Sequence, residues 1–520
     1  MLHKYVAWCF LLSGASCLNV ETTSAQHFNS LYNIVDSSNT LIGAGGGVNV
    51  IIRPDNSYFL TAYSIISASQ KYELANLTVN QFGTNVISKH FVRGNSTLVD
   101  GVPGSLRKYM GGYLSPLSIY GFNVATGGYI QYDSIGNVIL TRVYTDTLKY
   151  SEGPFYLSIL PDSSFLICGE RDSVGYKRAW GYVQHISATG QLLWMRTYNR
   201  DTANENRFTS IEELPNHNIL VGGTIIVRFD TMSNSVIFSL PWMLLLDSSG
   251  NILKDTMYST HYYHGAYVHG GNVFSDVNGG YFHWGGKDST PAPFPQSINY
   301  AGNHPDYIAH LDSNFAIDWR VSFPVFNYVG YSGIRIIWQV IQTKDSGYLV
   351  MGDVAGAYVN GWLCKLNKNG QIKWEHFYYK DSTQQAYLVD AEERPTSGFV
   401  AVGWSKGCKT CSQDVWLLSV DSNGCELPGC SSGLAVPQEP VAAAFSLYPN
   451  PTTGAFTVES PAAGQLSLYN LQGQVVARYT IAQGKTSLSL PIVLTAGLYV
   501  GQYRSNDGQY IQTVRVIYQP

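Results

Sequence analysis

Asp345-Ser-Gly-Tyr-Leu-Val-Met-Gly352 and Gly361-Trp-Leu-Cys-Lys-Leu-Asn-Lys-Asn-Gly-Gln-Ile-Lys-Trp374 decide how the chain is read. Together they give a strand at 348–351, a loop, a strand at 362–366, a tight turn at 367–370 and a strand reaching Trp374. Strands this short bury little alone and need copies beside them. The copies are present. A turn leading into an apolar strand recurs at 55–58, 162–165, 216–219, 278–281, 345–348 and 396–399. A strand ending in Asp or a substitute, with Gly three residues on and in places Trp four beyond, recurs seven times. Its members are Asn80…Gly83, Asp133…Gly136, Ser187…Gly190…Trp194, Asp247…Gly250, Asp312…Trp319 (without the Gly), Asn367…Gly370…Trp374 and Asp421…Gly424.

The step has a physical cause. The Asp side chain caps the turn, and Gly takes the positive-φ position that returns the chain as a hairpin. Intervals run from 53 residues (Asn80 to Asp133) to 65 (Asp247 to Asp312). Units of that length with about four strands each predict an all-β chain, a seven-bladed β-propeller over 26–430. The trailing tryptophans are expected to pack between neighbouring sheets. In the second unit, 107–112 must stand in for the missing first signal. The seventh unit stops after its third strand, so its outer strand is expected from the N-terminus, near 28–33, closing the ring and covering an open edge.

Composition agrees. Charged residues are 13% of the 520, about half the usual 25%, while Gly (51) and Tyr (37) suit short strands and tight turns. A net charge of −4 gives no case for nucleic acid. Residues 1–25 carry Lys4, an apolar run and a small-residue site at 23–25, and read as a cleaved signal peptide; the alternative is lipidation at Cys17. No later segment is apolar enough to span a membrane. Cys408/Cys411 and Cys425/Cys430 are candidate disulfides in an oxidising compartment, and Cys168 and Cys364 buried fillers. Residues 431–443 form a Pro-containing linker, and 444–520 a small antiparallel Ig-like sandwich of six or seven strands.

That tail resembles a known family. Phe445-Ser-Leu-Tyr448-Pro449-Asn450-Pro451-Thr-Thr-Gly454-Ala-Phe456, Leu468-Tyr-Asn-Leu-Gln-Gly473-Gln-Val-Val and Leu494-Thr-Ala-Gly497-Leu-Tyr499-Val match three ordered blocks of the type A C-terminal sorting domain of the type IX secretion system. Arg515 stands where the family usually has Lys. The resemblance implies export to the periplasm, recognition by the type IX secretion machinery, and release or attachment on the outer-membrane exterior. The repeats also resemble propellers found upstream of such tails, a likeness that names no ligand.

For chemistry, the densest cluster is His261-Tyr262-Tyr263-His264…His269, with His283 and Trp284 a strand later. Alternation along a strand splits the imidazoles between two faces, so no metal site is expected. A ligand-facing wall of His261, Tyr262, Tyr263, His264 and Trp284 is the candidate binding site, on a face where 224–240 and 287–306 form the longest loops. No nucleophile elbow, zinc-protease motif or phosphate loop occurs, and no cofactor is expected. Glu212/Glu213 and Glu392/Glu393 are neighbours that point oppositely on a strand. The expected function is an exported, non-catalytic surface protein that binds a glycan or protein through units four and five. The alternatives are a carbohydrate-active hydrolase or lyase with its acids on different blades, and a purely structural surface component.

Overall fold

The computed structural model describes residues 28–32, 44–66, 71–84, 86–91, 97–120, 125–144, 150–173, 179–200, 205–231, 234–257, 271–285, 306–323, 326–328, 331–355, 359–378, 385–406, 413–426, 446–460, 462–470, 474–491, 494–506 and 511–519. The chain divides into two compact units, the propeller and a C-terminal sandwich.

The repeats fold as antiparallel meanders, most of them four-stranded. Blade one, for example, runs through Ala44–Ile52, Tyr58–Ile66, Lys71–Val79 and Ile87–Phe91. Blade six runs through Tyr331–Gln342, Tyr348–Ala355, Asn360–Leu366 and Ile372–Tyr378. Among the described residues seven apolar cores fill the successive interfaces, from blades one and two around to blades seven and one. Blade seven has Gln385–Glu393, Phe399–Lys406 and Gln413–Val420, and Phe28–Tyr32 adds the outer strand, Phe28 opposite Ser419 and Tyr32 opposite Val415. The expected closure is therefore present.

The turn chemistry follows the sequence. In blade two Asp133 Oδ1 accepts the N–H groups of Ile135 and Asn137, and Gly136 takes φ 85°. Asp421 does the same for Asn423 and Cys425, with Gly424 at φ 79°. Where blade five lacks the Gly, Phe315 adopts φ 62° and packs beneath Lys254, whose Nζ lies 4.7 Å from the ring centroid.

Each glycine also supports the preceding blade. A Cβ on Gly250 would lie 3.1 Å from Trp194; on Gly370 it would meet Trp319 at 2.6 Å, and on Gly424 Trp374 at 2.8 Å. Gly83 meets Phe28 at 2.7 Å in the same way, so the closing strand brings its own aromatic. Four residues after each of Phe28, Trp194 and Trp374 a tyrosine hydroxyl donates to the same glycine's carbonyl: Tyr32 to Gly83 (2.8 Å), Tyr198 to Gly250 (2.8 Å) and Tyr378 to Gly424 (2.7 Å). Tyr144 reaches Gly190 likewise (2.7 Å).

One expectation changes. Residues 224–240 are not a long loop: Ile219–Thr231 and Asn234–Leu246 continue as one hairpin, because the β-branched run at 225–227 prefers the ladder. Blade two splits its inner strand into Thr97–Asp100 and Arg107–Tyr109, both paired with Gly112–Tyr120, and sends 101–106 out as a loop. The stand-in turn at 107–112 is present, with Met110 and Gly111 at positive φ.

The sandwich packs Ser446–Tyr448, Ala455–Ser460 and Gly484–Ser489 against Val475–Ile481, Gly464–Tyr469, Gly497–Ser505 and Ile511–Tyr518. Their inner faces share one core containing Phe456, Leu466, Tyr503 and Val516.

Candidate functional site

The inner strands are irregular where they pass the propeller axis. A β-bulge interrupts the register after Gly47, Pro154, Phe208, Ile337 and Leu388, in blades one, three, four, six and seven. A bulge re-aims the next side chain. Those next residues are Asn49, Tyr156, Ser210, Gln339 and Asp390, all buried.

Three of them reach the following blade's backbone. Asn49 Oδ1 accepts Ser105 N–H (2.9 Å), Ser210 Oγ accepts Val273 N–H (3.0 Å) and Asp390 Oδ2 accepts Val50 N–H (3.0 Å). Two residues on, Glu212 accepts Ser275 N–H (2.7 Å) and Glu392 accepts Ile52 N–H (2.6 Å). The acids thus lace blade four to five and blade seven to one, each satisfying a backbone donor in the neighbouring inner strand.

Across the axis, the 101–106 loop meets blade six. Gln339 Nε2 donates to Pro103 O (3.2 Å), and a Cβ on Gly104, at φ 72°, would sit 1.8 Å from Gln339 Nε2. A side chain there would push the Gln339 carboxamide away and occupy a positive φ that glycine favours. Beside this bridge lies a cavity of about 340 Å³ lined by Arg107, Tyr156, Phe274, Gln339, Asp390 and Glu392 among others. That is within the size range of small-molecule sites, roughly 300–1,000 Å³. Arg107 donates to the carbonyls of Gly104 and Leu106 and holds its guanidinium 4.6 Å above the Tyr156 ring. Burial pushes the Asp390 carboxyl up to about 7, opposed by the Val50 N–H bond, and burial also raises Glu392. In blade six, burial likewise lifts Asp353 to about 7.

These shifts fix a pH dependence. A carboxyl whose folded value lies above its ordinary 3.8 binds more protons folded than unfolded between about pH 4 and 7. Its stabilising contribution is full below that window and is lost as pH rises through about 7. Asp55 and Asp162 run the other way: the hydroxyls of Ser57 and Ser164 lower them, so their contribution is lost on acidification below about pH 4. Buried His283, lowered to about 4, opposes them below about pH 6.5, but the two carboxyls outweigh it, so the melting temperature is expected to be higher at pH 5 than at pH 8, and Asp353→Asn to narrow the gap. A higher value at pH 8 would contradict this placement of the acids.

The sequence-predicted site residues fare unevenly. His261, Tyr262, Tyr263 and His264 lie outside the described residues. Trp284 is fully buried, stacked on Phe274 and Phe282 with centroids 5.7 and 6.0 Å away, so it is core and not a ligand-facing wall. Its neighbour His283 is also buried, bonded to Asn272 O and Tyr307 Oη, and burial lowers it to about 4. Cys425 is disulfide-bonded; Cys408, Cys411 and Cys430 lie outside the described residues. Cys168 and Cys364 are buried thiols.

In the sandwich, Tyr448, Pro449, Asn450 and Pro451 are exposed. Asn450 Oδ1 accepts Ile517 N–H (2.8 Å), Gly454 O accepts Leu490 N–H (2.7 Å) and Tyr499 donates to Thr495 O (2.7 Å). The first motif is thereby tied to the last strand, in which Arg515 pairs with Val500. Gly473 lies outside the described residues. This stretch also matches a family model. Residues 446–517 match the model of the secretion system C-terminal sorting domain. That domain addresses the chain to the type IX machinery, and the protein is exported to the cell surface or beyond it. Among the described residues no helix is long and apolar enough to cross a membrane.

No curated protein matches the chain. Among solved structures it is similar to PorZ, a surface component of the type IX secretion system of Porphyromonas gingivalis (10% identity, 90% of this chain and 69% of that one, TM-score 0.32). It is also similar to the β-propeller domain of the Trilobed protease from Pyrococcus furiosus (11%, 74% and 97%, TM-score 0.37). A third likeness is to the α-L-arabinofuranosidase of Fusarium graminearum in complex with arabinobiose (9%, 76% and 98%, TM-score 0.35). None of these distant likenesses assigns an activity to this chain.

Proposed function

We propose that the exported propeller is a non-catalytic binding module that engages a glycan or a protein outside the cell. The observation that carries this is the axial cavity. It offers a guanidinium, a carboxamide, a phenol and two carboxyls from blades two, three, six and seven, while both acids already hold backbone donors of blade one. Carboxylates committed to lacing the ring are poorly placed to shuttle protons to a substrate. The face built by blades four and five is part of the same proposal as a second contact surface.

One observation favours the enzymatic alternative. Asp390 and Glu392 stand two residues apart on one strand, hence on one face, and both are raised, as a general acid requires. The experiment is a screen of the purified full chain against immobilised glycans and cell-surface proteins, repeated with Arg107→Ala. Saturable binding that weakens about tenfold or more in the variant, the loss of one charge-assisted contact, is expected. Equal binding by the variant would remove the cavity from the reading.

A further inference from the structure

A second set of residues gathers where the inner strands begin and the second strands end. Trp404 stacks on Tyr387 of its own blade seven (4.8 Å between centroids, 24° between planes). It meets Trp338 of blade six edge-on at 5.7 Å and Tyr63 of blade one at 6.3 Å. All four rings are half-buried. Trp338 occupies the bulge of its strand, and Tyr63 lies over Gly46, where a Cβ would come within 2.8 Å of the ring. The glycine run at 45–47 therefore makes room for an aromatic.

Partly exposed aromatics in a Tyr-rich sheet protein are ordinarily packing, but here unfilled polar groups accompany them. Trp338 Nε1 donates to Asp353 Oδ1 (2.5 Å), while Asp353 Oδ2 is buried without a hydrogen-bond partner among the described residues. Burial, and after it the neighbouring Asp353, raises the Tyr387 hydroxyl. Neither the Tyr387 hydroxyl nor the Trp404 indole N–H has a partner there. Solvent-reachable donors beside flat apolar rings, with one buried unpartnered carboxyl oxygen behind them, suit a ligand with both polar and apolar character. A pyranose ring has them: C–H groups on one face to lie on an aromatic, and hydroxyls at its edge to donate and accept.

We propose that Trp404, Tyr387, Trp338 and Tyr63, with Asp353, form a subsite for a neutral sugar ring of a glycan. Sialylated and uronic-acid sugars are disfavoured, because burying their carboxylate against Asp353, whose Oδ2 is itself buried and unpartnered among the described residues, costs more than burying a neutral hydroxyl. The inference rests on the binding reading above and deepens it by naming the ligand class.

The test uses the full chain on an array of neutral, amino-sugar and acidic glycans. Wild type is expected to retain neutral glycans. Trp404→Ala should weaken them about tenfold or more through lost ring contact, and Tyr387→Phe a few-fold at unchanged melting temperature. If Trp404→Ala does not fold, Trp404→Phe keeps an aromatic face but loses the N–H and the five-membered half of the indole, and a several-fold loss is expected. Preference for acidic glycans, absence of neutral-glycan binding, or wild-type affinity in both Tyr387→Phe and Trp404→Phe would overturn the subsite. A chain that binds only a protein would sink this inference and leave the binding reading standing. A chain that consumes the glycan would sink the binding reading, while a Trp404 effect on that consumption would keep the subsite.

Discussion

Removing Phe28–Tyr32 is expected to leave a propeller that unfolds or aggregates at temperatures where the intact chain is folded. The segment is five residues long, yet it closes the ring in three ways. Its ladder covers Gln413–Val420, an otherwise open edge and a template for association between chains. Asn29 Oδ1 accepts the indole N–H of fully buried Trp416 (2.7 Å), a donor left unsatisfied by the deletion. Phe28 and Tyr32 clamp Gly83 of blade one. At about 1 kcal/mol per hydrogen bond, with a further penalty for the orphaned indole, the loss is about 5 kcal/mol or more, comparable with the whole stability of many domains. Tyr32→Phe, which deletes one hydroxyl, should cost about 1 kcal/mol and serves as the graded control. Thermal melts and size-exclusion profiles of the three proteins check this. A deletion that melts with the intact chain would show that the closing strand holds nothing.

The second large effect concerns export. A chain ending at residue 443 keeps every described strand of the propeller but lacks the sorting domain at 446–517. It is expected to accumulate inside the outer membrane of the host cell, with none outside, whereas the full chain appears at the surface or in the medium. Fractionation and surface proteolysis measure this. A subtler variant tests the fold of the signal rather than its presence. Asn450 fixes the first motif to the last strand through Ile517, so Asn450→Ala removes one hydrogen bond, about 1 kcal/mol, and should reduce export without abolishing it. Normal surface delivery of the truncated chain would contradict the role of the tail.

The repeats were legible because their turns have a local chemistry. Asp133, Asp247 and Asp421 cap their own backbones within four residues, and the glycine three places on is fixed by φ. Nothing distant is needed to recognise such a step. The Tyr-to-glycine staples were also within reach, since Tyr144, Tyr198 and Tyr378 each stand eleven residues after a turn's first residue. Their partner, however, sits one blade further along, and no local pattern points to it.

The site was hidden for the same reason, more strongly. Gln339 meets Pro103 and Asp390 meets Val50 across 236 and 340 residues, and what brings them together is a set of bulges that hydrophobic alternation does not announce. Glu392 and Glu212 looked inert beside their acidic neighbours. The informative pairing was with the next blade's backbone. Trp284 misled because an aromatic beside a histidine reads the same whether it faces a ligand or, as here, the interface of blades five and six.

The central claim, an exported propeller that holds a ligand without transforming it, is tested most directly by incubating the purified full chain with each glycan it retains. Bound and free ligand would be followed over time in the same samples. Saturable binding with all ligand recovered unchanged is predicted. Steady appearance of product, abolished by Asp390→Asn or Glu392→Gln in a chain that still folds, would contradict it.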